Sequence, residues 1–183
     1  AERGDADSQE RLGFKLLGNG FKPTGDVDFS DEDYKACYPW LLRAAKQGND
    51  HAQTNLAVLY VNYRRAHAGV TTRQSKSVAF NWRRRAAKNG NRHSMYYHGM
   101  ALLHSGNKNS DDSRVSEGLQ WLQRAMRTTK GSTSELSEAH VKRCQKQIDD
   151  TTKAYPELTS AALAPSAMRR ADAALKKEGD EKR

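Results

Sequence analysis

The sequence has little of what a β-fold requires. Its 183 residues include one isoleucine, Ile148, and 7 valines, against 23 alanines and 15 leucines. β-Branched residues favour strands, whereas alanine and leucine favour helices. The composition therefore argues against a β-sandwich, a barrel or a parallel-sheet nucleotide-binding fold, and it predicts an all-α protein.

Cysteines and long apolar runs are also scarce. The two cysteines, Cys37 and Cys144, are far apart and share no motif, so they indicate neither a disulfide scaffold nor a zinc site, and we expect both to be buried. The longest apolar run, Leu56–Val61, is far shorter than the ~20 residues of a membrane span, so no membrane insertion is predicted. The chain begins at Ala1, which leaves open a trimmed chain or a mature form after removal of a signal peptide.

An internal repeat is the strongest feature of the sequence. Trp40-Leu-Leu-Arg-Ala-Ala-Lys-Gln-Gly-Asn49 matches Trp82-Arg-Arg-Arg-Ala-Ala-Lys-Asn-Gly-Asn91 at 7 of 10 positions, with a shift of 42. A third, shorter copy is Trp121-Leu-Gln-Arg-Ala-Met126. A small residue stands three positions before each tryptophan: Cys37, Ala79 and Gly118. The arginine of each copy (Arg43, Arg85, Arg124) is interpreted as part of the repeat structure.

A second element follows each Gly-Asn pair. Gly48-Asn49-x-x-Ala52-x-x-x-Leu56-Ala57 recurs with Gly90-Asn91, and the chain starts with a related Gly4-Asp5 copy. Each unit is therefore predicted to contain a helix A, a loop, a helix B and a turn. In that turn the glycine would adopt a left-handed conformation, and the Asn or Asp would cap the next helix. The predicted helix A segments are about 6–19, 50–66 and 92–105, with Gly106 closing the last, and the helix B segments are about 31–47, 75–89 and 114–129.

These motifs resemble the Sel-1-like repeat family, whose αα-hairpins are related to tetratricopeptide repeats. The resemblance covers about residues 4–130 and implies a right-handed superhelical array of about three hairpins with a C-terminal capping helix. Two departures stand out. Pro39 lies inside the first helix B, where proline costs about 3 kcal/mol unless the helix kinks. The third helix B lacks its terminal Gly-Asn, which indicates that the array stops there.

The domain boundaries follow from the repeat. The array is predicted over 1–130 (repeats 4–47, 48–89 and 90–130), with capping helices over 131–178 and a charged tail over 179–183. The first capping helix is expected to open at Ser132-Thr-Ser-Glu135 and to end near Tyr155 before Pro156, and Pro165 is expected to interrupt the helical segment that follows.

The sequence contains no motif that indicates catalysis. It has no Gly-rich phosphate loop, Gly-x-Ser-x-Gly elbow or His-Glu-x-x-His helix. Of its 6 histidines, His93 and His98 are five residues apart, which does not place them on one helical face. We therefore predict no enzyme activity, no metal site and no cofactor.

The net charge of +9 is unevenly distributed. Residues 1–33 carry −5, residues 34–130 carry +13 and residues 131–183 carry +1. A basic repeat body favours an acidic protein partner. Alternatively, the Lys and Arg stems cover apolar surface without any partner.

Eight residues are candidates for contacting a partner. Arg83 and Arg84 occupy positions where the first copy has Leu41 and Leu42; the alternatives for them are an internal ion pair or stem packing. His98 stands where the second copy has Leu56, and its alternative is a hydrogen-bonded, half-buried histidine. The complete candidate set is Tyr63, Arg64, Arg65, Arg83, Arg84, Tyr96, Tyr97 and His98.

The resemblance implies a protein–protein interaction module. The favoured hypothesis is an exported, periplasmic bacterial protein, soluble and monomeric or weakly oligomeric, which neutralises a partner as an immunity protein against a type VI secreted lipase or phospholipase toxin. The alternative is a regulatory adaptor that restrains a sensor kinase or scaffolds an envelope complex. Nucleic-acid binding is the weaker alternative, because residues 1–33 are acidic and no base-reading code recurs in the repeats.

Overall fold

A computed structural model describes residues 5–18, 30–62, 71–127 and 134–180. Within these ranges the chain forms nine α-helices and no strand, so the predicted all-α class is confirmed for them. The helices are α1 (Ala6–Leu16), α2 (Asp31–Lys46), α3 (Asp50–Asn62), α4 (Thr72–Lys88), α5 (Arg92–Asn109), α6 (Asp112–Met126), α7 (Glu138–Ala154), α8 (Pro156–Leu163) and α9 (Pro165–Asp180).

The chain divides into two compact units, Ala1–Asn89 and Gly90–Arg183. In the first unit α1 packs on α2, α3 packs on α4, and α2 also packs on α3. In the second unit α5 packs on α6, while α7 and α8 both pack against α6 and α8 contacts α9. The helices after residue 131 therefore lie against the third helix pair, and the division between the units coincides with the predicted start of the third repeat.

The predicted helix caps recur in all three copies. The side chains of Asp5, Asn49 and Asn91 accept hydrogen bonds from the backbone N–H groups three residues later, at 2.9, 2.8 and 2.9 Å. Gly48 and Gly90, which precede two of these caps, have φ angles of +97° and +99°. A left-handed conformation is open to glycine without the strain that a Cβ would cause. The turn chemistry predicted from the Gly-Asn pairs is thus confirmed.

Small residues allow the paired helices to touch. A Cβ placed on Gly118 in α6 would lie 2.9 Å from the carbonyl oxygen of Gly99 in α5, closer than real Cβ atoms approach. In the first unit, a Cβ on Gly13 would lie 2.8 Å from Cγ of Leu41. Because backbone and side chains meet this closely, glycine is needed at these contacts for space rather than for flexibility. Cys37 and Ala79, at positions equivalent to Gly118, are fully buried as well.

The end of α6 is stabilised by a residue outside the repeat pattern. Arg92, only 6% exposed, donates from Nε to the carbonyl oxygen of Ala125 at 2.8 Å and from Nη2 to that of Met126 at 3.3 Å. The last carbonyls of a helix lack backbone partners and carry negative partial charge, which a cation satisfies. Arg92 thereby supplies the termination that the missing Gly-Asn would otherwise provide.

Helix α1 ends at Leu16 and α4 begins at Thr72, each three residues before the predicted 19 and 75. Two further predicted boundaries are wrong for reasons of tertiary packing. The third helix A was expected to end at 105, but α5 runs through Gly106 to Asn109, and Ser110 ends it with φ +52°. Gly106 is instead a close-contact residue, since a Cβ there would lie 2.7 Å from Cγ2 of Val115. Helix α7 begins at Glu138 with Ser137 as its cap rather than at the Ser132 motif. Ser134, within that motif, instead accepts a hydrogen bond from the backbone N–H of Arg92 at 2.9 Å.

The three prolines in the described residues lie inside one helix and at the start of two others. Helix α2 continues through Pro39, and its start is fixed by a capping box in which Ser30 and Asp33 each accept a hydrogen bond from the other's backbone N–H. Pro156 and Pro165 are the first residues of α8 and α9, where a missing N–H costs nothing. The predicted interruption at Pro165 is confirmed.

Replacing Gly118 by alanine tests the close helix contact. Helix propensity alone would stabilise such a change by about 0.5–1 kcal/mol. Because the new methyl group would meet backbone, we expect instead a loss of about 1–3 kcal/mol in the free energy of unfolding, measured by urea denaturation with circular dichroism. A gain in stability would show that the two helices have room to separate.

Replacing Arg92 by methionine tests the termination of α6. The change keeps the apolar stem of the side chain but removes both hydrogen bonds to the carbonyl oxygens. We therefore expect the free energy of unfolding to fall by about 2 kcal/mol. The control is Lys142→Met in the same unit, where the exposed pair with Glu138 at 2.6 Å contributes at most about 1 kcal/mol. Equal losses in the two variants would contradict the role given to Arg92.

Candidate protein-binding surface

The structure describes five of the eight candidate residues. Arg83 and Arg84 lie on α4 in the first unit. Tyr96, Tyr97 and His98 lie on α5 in the second unit. The remaining candidates are outside the described ranges: Tyr63, Arg64 and Arg65.

All the charged residues of helix α4 are basic. Its 17 residues include six lysines and arginines and no acid: Arg73, Lys76, Arg83, Arg84, Arg85 and Lys88. Four of them, Arg73, Lys76, Arg84 and Arg85, are exposed. A helix with charge of one sign produces a local field that attracts acidic surfaces and is not cancelled by ion pairs within the same helix.

The two arginines singled out from the repeat differ in exposure. Arg84 is exposed, whereas Arg83 is half-buried. Arg73, Lys76, Arg84 and Lys88 follow one another at intervals of three, eight and four residues, which places them on one side of α4 together with the half-buried Phe80. Arg84 therefore belongs to a basic stripe that the comparison with Leu42 alone did not indicate.

The structure corrects the placement of Tyr96 and His98. Tyr96 is only 5% exposed and belongs to the core of the second unit, and His98 is 1% exposed, with its ring edge-on to that of Trp121 at 5.6 Å. Only Tyr97 is on the surface, with 41% exposure. A partner could therefore contact Tyr97 directly, whereas the other two side chains are enclosed.

The reasons for the two corrections differ. His98 aligns with Leu56, which is 0% exposed, so the repeat itself indicated a buried position. Tyr96 aligns with the partly exposed Thr54 and is buried because α7 covers it: its ring contacts that of His140 at 4.9 Å. Nothing in the repeat could have predicted this contact, since α7 lies outside it.

An aromatic cluster joins α5 to the start of α7. His140 is its centre, with the rings of His93, Tyr96 and Tyr97 at 5.3, 4.9 and 6.0 Å. The His140 Nδ1 and the Ser137 hydroxyl lie 2.6 Å apart and share a hydrogen bond. Burial and then the positive charge of Arg143 lower the pKa of His140, which favours the uncharged form of this ring. The cluster was missed by sequence reasoning because its members come from separate helices.

The three repeated tryptophans each carry a stacked arginine. The guanidinium carbons of Arg43, Arg85 and Arg124 lie 5.2, 4.8 and 5.0 Å from the ring centroids of Trp40, Trp82 and Trp121. These distances fall within the range of cation–π attraction. This repeated stacking contact explains why an arginine recurs three residues after each tryptophan. The sequence alone showed the spacing but not its cause.

The third of these pairs is covered by the C-terminal helix. Nε of Arg124 donates to Oδ1 of Asp172 in α9 at 2.6 Å, and the Arg124 side chain is only 11% exposed. Trp121 is 2% exposed, and its Nε1 donates to Oε1 of Glu117 at 3.2 Å. In the first unit Arg43 and Arg85 are exposed and their tryptophans half-buried.

Two other kinds of site are absent from the described residues. There, no three His, Cys, Asp or Glu side chains come together in a way that could hold a metal ion. Nor is any helix in these ranges long and apolar enough to cross a membrane. Comparison of the chain with family models, with curated proteins and with solved structures finds no match.

Both cysteines are fully buried, as the sequence predicted. Burial raises the pKa of Cys37 to about 12 and that of Cys144 to about 11. A thiol reacts with alkylating agents as the thiolate, so a raised pKa suppresses its reactivity.

Alkylation of the native chain at pH 8 should therefore be slow. At that pH a thiol with a pKa of about 11 is ionised in about one molecule in a thousand. We expect mass spectrometry to detect almost no adduct on the folded chain and two adducts after unfolding in guanidinium. Native labelling at the rate of the unfolded chain would contradict the burial of both thiols.

Proposed function

We propose that this chain is a Sel-1-like repeat protein that binds an acidic protein partner through the basic surface of α4. The proposal includes the superhelical stacking of hairpins typical of that family. In this proposal the chain acts by stoichiometric binding, with no catalytic step of its own.

Support for the family comes from features that recur with the repeat. The Asp or Asn caps, the left-handed glycines and the buried small residues before each tryptophan occupy equivalent places in successive copies. A further repeated contact joins the end of helix B to helix A. Gln47 bonds to Gln9 at 2.6 Å, and Asn89 bonds to Gln53 at 3.2 Å. A repeat whose copies make the same contacts is typical of stacked helical hairpins.

One observation carries the proposed partner chemistry. Helix α4 carries six basic residues and no acidic residue, and four of the six are exposed. Such a surface favours encounter with a negatively charged protein and raises the association rate.

The specific form that we propose is a periplasmic immunity protein that neutralises a secreted lipase or phospholipase toxin. The resemblance to exported bacterial Sel-1-like proteins suggests this form. The first test is whether the product of the adjacent gene is such an enzyme, whether it co-purifies with this chain, and whether the chain inhibits its activity at a 1:1 ratio.

Loss of charge on α4 should weaken the complex. We expect Arg83→Ala with Arg84→Ala to slow association with the adjacent gene's product by about tenfold at low salt, because fewer charges steer the encounter. Surface plasmon resonance measures the rate, and circular dichroism checks that helicity is retained.

The chain offers a matched control in Arg169 and Arg170, an adjacent and exposed arginine pair on α9. Their replacement by alanine removes the same charge from the same chain and should leave association with the partner within about twofold. Normal binding by the Arg83/Arg84 variant would place the partner surface elsewhere. Binding of nucleic acid alone would overturn the proposed function.

A further inference from the structure

The three Trp–Arg pairs have one geometry but two environments. In each pair the guanidinium lies about 5 Å above the ring three residues earlier in the helix. Stacking holds the long arginine side chain in one place, so less conformational freedom is lost when the guanidinium binds a carboxylate. Each pair is thus a prepared donor for an acidic group.

The third pair shows what such a donor binds. Asp172, in the middle of α9 and flanked by Ala171 and Ala173, places its Oδ1 2.6 Å from Nε of Arg124. The same helix is anchored beside this contact by Met168, which is 2% exposed. An acidic residue among small ones on a helix therefore fits against a Trp–Arg pair within this molecule.

The first two pairs present the same donor to the surface. Arg43 and Arg85 are exposed, and among the described residues neither makes an ion pair. Both arginines begin the same Arg-Ala-Ala-Lys sequence, so a lysine follows three residues later in each helix. The charge at both positions is complementary to that of an acidic helix.

We propose that Arg43 and Arg85, each stacked on its tryptophan, are equivalent carboxylate-binding positions that take the acidic residues of a helical segment of the partner protein. They would do so in the way that Arg124 takes Asp172. This inference rests on the proposed function and extends it, since it names residues on α2 and α4 other than Arg83 and Arg84 and gives the secondary structure of the partner's contact.

The test uses the isotope-labelled full chain and a defined probe. The probe is an Ala-rich peptide of about 20 residues with Glu at every seventh position, which exceeds the length at which isolated helices are marginal in water and avoids like-charge pairs four residues apart. The matched control peptide has Gln in place of every Glu. Nuclear magnetic resonance follows the Nε–H signals of the arginines and the Nε1–H signals of the tryptophans during titration at low salt.

With the Glu peptide we expect the signals of Arg43, Arg85, Trp40 and Trp82 to shift together along one binding curve. The Arg124 signal should stay in place, because Asp172 already occupies that guanidinium. The Gln peptide should shift none of them. Arg43→Lys with Arg85→Lys, which keeps the charge but loses the planar fork, should weaken binding of the Glu peptide at least about tenfold. Arg169→Lys with Arg170→Lys, the exposed pair on α9, should change that affinity less than about twofold.

Three results would overturn the inference: signals of Arg43 and Arg85 that do not move with the Glu peptide, equal shifts with the Gln peptide, or shifts by a short DNA duplex at lower concentration than by the Glu peptide. Its failure is distinguishable from that of the proposed function. If Arg43 and Arg85 do not respond but the adjacent gene's product still binds and depends on Arg83 and Arg84, only this inference fails. If the peptide binds as expected and no protein partner is found, the carboxylate positions stand and the proposed function fails.

Discussion

The close contact between paired helices is the constraint on which the other features depend. In the second unit the backbones of α5 and α6 meet at Gly99 and Gly118, and in the first unit Gly13 leaves room for Leu41. With so little space in the contact itself, the large side chains must lie beside it. Each tryptophan stands three residues after the small residue of its helix, and an arginine three residues further along lies over its ring. The spacing that allows the helices to approach thus also positions the stacked cations.

The second unit shows how the pattern is closed. Its last repeat lacks the Gly-Asn turn, and Arg92 takes over by binding the final carbonyls of α6. Its Trp–Arg pair is covered by α9 through Asp172. In both places the second unit uses a hydrogen bond from an arginine side chain. At the equivalent positions the first unit has a glycine turn in one case and exposed arginines in the other. This difference in what covers equivalent residues underlies the inference that Arg43 and Arg85 bind a partner's carboxylates.

Sequence reasoning succeeded where an interaction acts over a few residues. The caps at Asp5, Asn49 and Asn91 and the left-handed Gly48 and Gly90 depend on groups within three or four positions, so a repeated motif is enough to predict them. It failed at Gly106, whose role is contact with Val115 rather than helix termination. It failed also at the Ser132 motif, where Ser134 bonds to α5 instead of opening a helix.

The same distinction between local and tertiary interactions applies to the candidate site. From the sequence alone came the all-α class, the repeated Trp–Arg spacing and the concentration of positive charge in residues 34–130, because these depend on residue type and order. Only the tertiary structure decided that Tyr97 is exposed while Tyr96 is enclosed, and that Arg124 is covered while Arg43 and Arg85 are not. The physical reason is that equivalent repeat positions have the same local geometry but different neighbours. Burial depends on helices such as α7 and α9, which approach from distant parts of the chain.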